Sequence, residues 1–133
     1  MSILKQKLRE KILIERPRTE KLLKEYGNVK VDEVTIGQII GGMRDIKSLV
    51  TDISYLDPFE GIRFRGYTIP EVLEKLPLVP NEEMPSVEAF FYLLLTGDIP
   101  TQKEVDDVHE EFNRRKEVPN YVFHIIFGRH LSQ

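Results

Sequence analysis

The chain has 133 residues, of which 41% are hydrophobic and 31% charged, and its net charge is -3. This length suits one domain that can bury about two thirds of its unfolded surface, and no apolar stretch approaches the ~20 residues that a membrane span needs. The chain has no cysteine, which excludes disulfides, thiolate nucleophiles and cysteine-ligated metal centres.

Basic residues are concentrated at the amino terminus, where residues 1–24 carry eight lysines and arginines against three glutamates. A targeting peptide or an arm for nucleic acid is one interpretation of such a segment. However, Glu10, Glu15 and Glu20 interrupt the positive charge, and Ser2 is the single serine of residues 1–24, whereas targeting peptides are rich in serine. We therefore expect a solvated helix face and no nucleic-acid or membrane partner.

The first elements in chain order are a long helix and a short one. Apolar residues at helical spacing predict an amphipathic helix within 2–26, which Pro17 should kink or end. Thr35 and Gln38 have the spacing of a capping box, which predicts a helix over 35–41. Two glycines follow it.

The middle of the chain changes to β-rich residues. Apolar residues on both sides of the turn at 57–61 predict one small β-hairpin at about 49–66, with Arg63 and Arg65 on its solvent-exposed face. Further helices are predicted at 69–76, 86–96, 101–117 and 119–127, the first and third opening with capping boxes. The helix at 86–96 has hardly any polar face, so we expect it to be enclosed on several sides. The sequence predicts a mainly α protein.

Three motifs carry a resemblance to a known family: Gly41-Gly42-Met43-Arg44, the run from Asp57 to Pro70, and Phe90 to Thr101. Together they resemble the N-terminal segment of citrate synthase of the mitochondrial and bacterial type, from roughly Leu4 to Phe123. The resemblance implies the N-terminal part of an all-α fold, as one segment over 1–133. It also implies the chemistry of the family, in which acetyl-CoA condenses with oxaloacetate to give citrate and CoA.

The family's catalytic carboxylate and histidines belong to segments that this sequence lacks. We therefore assign no catalytic residue, expect the chain alone to be inactive, and expect it to bind no cofactor by itself. The resemblance implies that Arg44 contacts CoA phosphates, because arginine presents a planar fork of donors. The alternative for Arg44 is a solvated side chain after a helix end. Citrate and 2-methylcitrate specificity are not distinguished.

Other polar residues have ordinary interpretations. Arg63 and Arg65 could bind anions, but pairing with acids is favoured. The acidic residues and histidine within 106–111 share helix faces, yet a wet helix face explains them better than a metal site, so no metal ligand is assigned. His124 lies in an apolar run and fits a core or interface position.

The end of the sequence departs from the family. Residues 128–133 replace the usual His-Pro-Met-Ser-Gln motif, and His130 resembles it only faintly. A cut fragment, a disrupted gene product and a natural short relative remain open, and the alternative function is a non-catalytic helical interaction module. An initiating methionine without a presequence indicates a bacterial cytoplasmic source.

The last expectation from the sequence concerns the oligomeric state. The resemblance implies a homodimer, with subunit contacts within about 101–128. The sequence agrees independently, because residues 121–127 are apolar on all faces, whereas a terminal helix on a small monomer should keep one polar side.

Overall fold

Helices dominate the computed structural model, which describes residues 2–43, 45–47 and 49–128. Over these residues the elements in chain order are α1 (Ile3–Tyr26), α2 (Ile36–Ile40), β1 (Ser54–Asp57), β2 (Gly61–Phe64), β3 (Tyr67–Thr68), α3 (Ile69–Lys75), α4 (Val87–Thr96), α5 (Gln102–Arg115) and α6 (Asn120–Gly128). The predicted mainly α class is confirmed. The predicted helix ends lie within one or two residues of those observed.

Local capping chemistry sets most of the helix beginnings. The hydroxyl of Ser2 accepts a hydrogen bond from the Lys5 amide at 3.3 Å and so caps α1. Capping boxes, in which a threonine and a glutamine or glutamate satisfy each other's backbone amides, open α2, α3 and α5; their pairs are Thr35 with Gln38, Thr68 with Glu71, and Thr101 with Glu104.

Pro17 lies inside α1 and does not end it. Proline removes one backbone hydrogen bond, which leaves the carbonyl of Leu13 without its helical partner. Every residue from Ile12 to Tyr26 is exposed, so water can satisfy that carbonyl. The helix therefore continues for nine residues beyond the proline.

The β element differs from the predicted hairpin at 49–66. It is an antiparallel sheet of three strands in the order β1-β2-β3, with Tyr55 opposite Arg63 and Phe64 opposite Tyr67. Arg65 and Gly66 have φ of 50° and 87°, the pattern of a primed turn that returns the chain as β3. The pattern lacks the Asn-Gly or Asp-Gly pair that usually marks such a turn, which is why the third strand was missed.

The core lies where α3, α4 and α5 meet the sheet. Its buried cluster consists of Val72, Leu76, Ala89, Leu93 and Val105. The ring of Phe64 from β2 meets that of Phe90 edge-on, with centroids 4.9 Å apart. The sheet is thereby fixed against α4.

Helix α4 is central and enclosed on several sides, as predicted, because α1, α5 and the sheet all pack against it and only two of its ten residues, Val87 and Leu95, are exposed. Ala89, Tyr92 and Leu93 are fully buried, whereas Val87 is 75% exposed. On α6, Tyr121, Phe123 and their apolar neighbours up to Phe127 are mostly exposed, and so is His124. Among the described residues, exposed large apolar side chains outnumber buried ones several-fold, which indicates surface suited to further protein.

Candidate functional site at the carboxyl end of helix α4

The carboxyl end of α4 is the point where charged side chains converge. Gly97 has a φ of 77°, a left-handed conformation that glycine adopts without strain, and its amide donates to the Leu93 carbonyl at 2.8 Å. The next carbonyls, those of Leu94 and Leu95, need partners outside the helix. The helix dipole makes this end negative, which favours cations.

Arg65 supplies the missing donors. Its Nε and one terminal nitrogen donate to the Leu94 carbonyl at 2.9 and 2.6 Å, and that terminal nitrogen lies 3.2 Å from the Leu95 carbonyl. The other terminal nitrogen lies 2.7 Å from Asp52, and the Arg65 side chain is only 14% exposed. Arg65 therefore joins the turn after β2 to the end of α4.

The side chain of Arg65 passes beside Gly97. A Cβ atom on Gly97 would lie 3.7 Å from Cδ of Arg65, an ordinary van der Waals contact, so the positive φ and not lack of space favours glycine here. Arg63, two residues earlier in the sheet, instead faces solvent and lies 2.6 Å from Glu60, a hydrogen bond that raises the pKa of Arg63. The favoured prediction, that both arginines pair with acids, is confirmed, but the solvent-facing position predicted for Arg65 is wrong, because its guanidinium turns inward to the helix carbonyls.

Two lysines of α1 reach the same end of α4. Lys7 and Lys11, one helical turn apart, place their Nζ atoms 3.2 and 2.7 Å from the two carboxylate oxygens of Asp98. Burial raises the pKa of Asp98, but hydrogen bonds from Lys11 and Lys7 outweigh it and hold the pKa below its usual value. The Asp98 amide also donates to Oγ1 of buried Thr96 at 3.2 Å, which fixes the position of the carboxylate.

A cleft of about 860 Å³ separates α1 from the rest of this region. One wall is formed by α1 and the other by the 50–52 segment, the β2–β3 turn and the end of α4. The cationic groups in its walls are already paired: Lys11 with Asp98, Arg18 with Glu15 at 3.6 Å, and Arg65 with Asp52. Over its described lining residues, the charged groups of the cleft therefore pair with one another, and the cleft does not present a free cation for an anionic ligand.

Arg44, the residue predicted to contact CoA phosphates, lies outside the described residues. The backbone around it turns sharply, since Gly42, Met43 and Asp45 have φ of 85°, 59° and 59°. The Met43 amide donates to the Gln38 carbonyl at 2.8 Å and ties the motif to α2. The structure does not test the phosphate role of Arg44. His130 also lies outside the described residues.

Most of the acidic residues of α5 have protein partners. Asp106 accepts from Gln102 at 2.9 Å, Asp107 from the Leu4 amide at 3.1 Å, and His109 lies 2.9 Å from Glu88. Glu111 lies between Arg114 and Arg115, whose hydrogen bonds lower its pKa to about 2. Over the described residues no group of three metal-ligating side chains is placed to hold an ion.

One buried polar contact escaped the sequence analysis. The hydroxyl of fully buried Tyr92 donates to Oε1 of Glu104, whose other oxygen accepts from Thr101 in the capping box. Burial, followed by the nearby Glu104 carboxylate, raises the pKa of Tyr92. A tyrosine within an apolar run gave no sign of this link between α4 and α5.

The described helices include none long and apolar enough to cross a membrane. The longest, α1, is strongly charged along its length.

Comparison with known proteins relates this chain to one enzyme family. Residues 42–131 match the family model described as citrate synthase, C-terminal domain, whereas the sequence motifs resembled the enzyme's N-terminal segment. The mitochondrial citrate synthase of Aspergillus niger is 45% identical over 123 residues, which is 92% of this chain and 26% of that protein. That of Xiphias gladius is 43% identical over 119 residues, covering 90% and 25%.

A relative with a different name is equally similar. The mitochondrial 2-methylcitrate synthase of Yarrowia lipolytica is 45% identical over 123 residues, again 92% of this chain and 26% of the relative. The chain thus spans about a quarter of the length of these curated relatives. Because the family model covers more than half of the chain, the chain belongs to the citrate synthase family.

Proposed function

We propose that this chain forms part of the framework of a citrate synthase, an acyltransferase that condenses acetyl-CoA with oxaloacetate in the tricarboxylic acid cycle. The observation that carries the proposal is the family match over residues 42–131, together with 42–45% identity through at least 90% of the chain. The same identity to a 2-methylcitrate synthase limits the proposal to the shared chemistry, the condensation of an acyl-CoA with oxaloacetate. The comparisons do not favour the interaction module.

The chain alone should not catalyse this reaction. Condensation needs a base and hydrogen-bond donors around developing oxyanions. In the described cleft, Lys11, Arg18 and Arg65 are instead engaged with carboxylates, and Arg65 also with helix carbonyls. These contacts support structural roles for the three residues, and we propose that the reacting groups come from other parts of the enzyme.

Thiol release from acetyl-CoA in the presence of oxaloacetate tests the proposal in two proteins. The 133-residue chain should stay at background. A chimera, in which this chain replaces the aligned segment of the Aspergillus niger relative, should release thiol only when oxaloacetate is present. Turnover by the chain alone would overturn the proposed inactivity, and a folded, oligomeric but inactive chimera would contradict the assignment to a citrate synthase.

Arg44 is proposed to contact CoA phosphates in the intact enzyme, whereas the chain alone binds no cofactor. The support is the Gly41-Gly42-Met43-Arg44 motif and the sharply turned backbone on both sides of the arginine. A guanidinium presents several donors to one phosphate. Calorimetry of the chain with CoA should show no binding, because one arginine makes a weak anion site. Saturable binding at micromolar CoA would contradict this.

A homodimer through residues within about 101–128 is also proposed. The apolar side chains of α6 are mostly exposed, and each large one buried is worth roughly 1.5–3 kcal/mol, so a second copy gains stability by covering them. Sedimentation at micromolar concentration should show a dimer or larger oligomer, weakened by Phe123→Asp. A monomer whose sedimentation is unchanged by that substitution would refute it.

The proposed location is the cytoplasm. The basic residues 1–24 belong largely to α1, whose lysines pair with Asp98 of the folded body, and a cleavable targeting peptide would not make such contacts. The relatives named above all carry mitochondrial names, so the test is a cell fractionation that separates cytosol from mitochondria. Recovery with the mitochondrial matrix would overturn the proposal.

A further inference from the structure

Helix α1 is attached to the rest of the chain over only part of its length. Its half-buried residues occur between Ile3 and Lys11, and every residue from Ile12 to Tyr26 is exposed. Along the whole of Ile3–Tyr26 no side chain is buried. The apolar residues of the attached part, Ile3, Leu4 and Leu8, are only half-buried, unlike the buried cluster that holds α3, α4 and α5 together.

Charged and polar contacts are placed at both ends of the attached part. At its beginning the Leu4 amide, one of the unpaired donors of a first helical turn, lies 3.1 Å from the Asp107 carboxylate. At its end Lys7 and Lys11 hold both oxygens of Asp98, at 3.2 and 2.7 Å. Each contact joins an electropositive group of α1 to an acid of the folded body.

The backbone that carries the Asp98 carboxylate is fixed by the folded body. Thr96 and Gly97 close α4 and fix the backbone of Asp98, and Arg65 occupies the helix carbonyls on the other side. The two lysines thus meet a carboxylate that is already in place. The side chains of Lys7, Lys11 and Asp98 are each about a third exposed, at 36%, 37% and 37%, so dissolved ions can reach them.

We propose that α1 is an electrostatic strap, a helix held on α4 and α5 by its lysine contacts with Asp98 together with the half-buried Ile3, Leu4 and Leu8, and loosened as ionic strength rises. Partly exposed ion pairs weaken with salt, whereas apolar packing does not. Release of the strap removes one wall of the cleft, because Lys11, Glu15, Arg18, Thr19 and Leu22 all lie on α1. The cleft is then a feature of the attached state alone.

Distance measurement between two spin labels tests the strap directly. The chain has no cysteine, so Arg9→Cys on α1 and Lys103→Cys on α5, both at exposed positions, provide unique labelling sites. Labelled chain is diluted into excess unlabelled chain so that only distances within one chain are recorded. At ~10 mM salt, where the Debye length is about 30 Å, one narrow distance is expected; at ~1 M, where it is about 3 Å, a broad distribution is expected.

Two variants separate the strap from general unfolding. Asp98→Asn should give the broad distribution already at low salt, with unchanged near-ultraviolet dichroism. A Lys7→Gln, Lys11→Gln double variant should do the same without touching the turn after α4. Glu20→Gln, which breaks an exposed pair with Arg16 inside α1, is the matched control and should keep the narrow distance. A narrow distance in the lysine variant, or at ~1 M salt, would overturn the proposal.

Discussion

Replacing Arg65 by alanine should destabilise the chain far more than replacing Arg63, its neighbour on the other side of Phe64. Arg65 satisfies the carbonyls of Leu94 and Leu95 from a position where its side chain is 14% exposed. Arg63 makes an exposed pair with Glu60. The two substitutions remove the same side chain at positions two residues apart, but loss of Arg65 leaves the carbonyl of half-buried Leu94 without a donor, whereas loss of Arg63 leaves only the carbonyl of exposed Gly66.

The magnitude follows from the groups left without partners. Leu94 is half-buried, so its carbonyl cannot be fully hydrated, and a buried polar group without a partner costs ~1–3 kcal/mol. Leu95 is 40% exposed, and water can replace its contact. The Asp52 side chain is 86% exposed, so the ion pair itself contributes little. Because two helix carbonyls lose their donor, we expect a total loss of about 2–3 kcal/mol in the free energy of unfolding.

Urea denaturation followed by circular dichroism measures this difference. Protein concentration must be equal for all variants, because oligomers unfold in a concentration-dependent way. Alanine keeps the positive φ at position 65, so backbone strain changes little between wild type and variant. Arg65→Lys, which keeps the charge but loses the fork of donors, should fall between wild type and Arg65→Ala. Equal losses of unfolding free energy for Arg65→Ala and Arg63→Ala would refute the stabilising role of the Arg65 contacts with the helix carbonyls.

Three further predictions concern single groups. Tyr92→Phe should lower the free energy of unfolding by about 1 kcal/mol, since it deletes the hydroxyl bonded to Glu104, and an unchanged urea midpoint would contradict this. The raised pKa of Tyr92 means that its stabilising contribution is present below pH ~10 and lost as pH rises further, so tyrosinate absorbance should show one tyrosine that ionises only with unfolding. The pKa values of Asp98 and Glu111 are lowered in the folded chain, so both carboxylates stabilise the fold above pH ~4.5 and lose that effect as pH falls through their folded pKa values. The urea midpoint should therefore fall on acidification, and it should fall less steeply in Asp98→Asn than in the wild type. Equal dependence of the midpoint on pH in the two proteins would count against the Lys7 and Lys11 contacts.

Helices were predictable where their signals are local. Thr35, Thr68 and Thr101 each stand three residues before a glutamine or glutamate, and the capping box depends on nothing farther away. The same holds for Gly97, whose left-handed conformation ends α4.

Contacts between distant residues were not predictable from pattern. Arg65 meets the Leu94 carbonyl across 29 residues, and Lys11 meets Asp98 across 87, so only the folded chain brings them together. The enclosure of the helix at 86–96 was predictable from its lack of a polar face, but the elements that enclose it, α1, α5 and the sheet, were not. Arg44 was identified from a family motif and lies outside the described residues, so its phosphate contact stays a prediction.

The rate of thiol release by the chimera with the Aspergillus niger relative, measured against acetyl-CoA concentration, tests the central claim most directly. If this chain is part of a citrate synthase, the chimera should turn over with oxaloacetate, and Arg44→Ala should raise its KM for acetyl-CoA about tenfold or more, as loss of a charged hydrogen bond implies. Arg63→Ala, the control for removal of a surface arginine, should leave KM unchanged. A chimera that folds and assembles but releases no thiol above background would contradict the account.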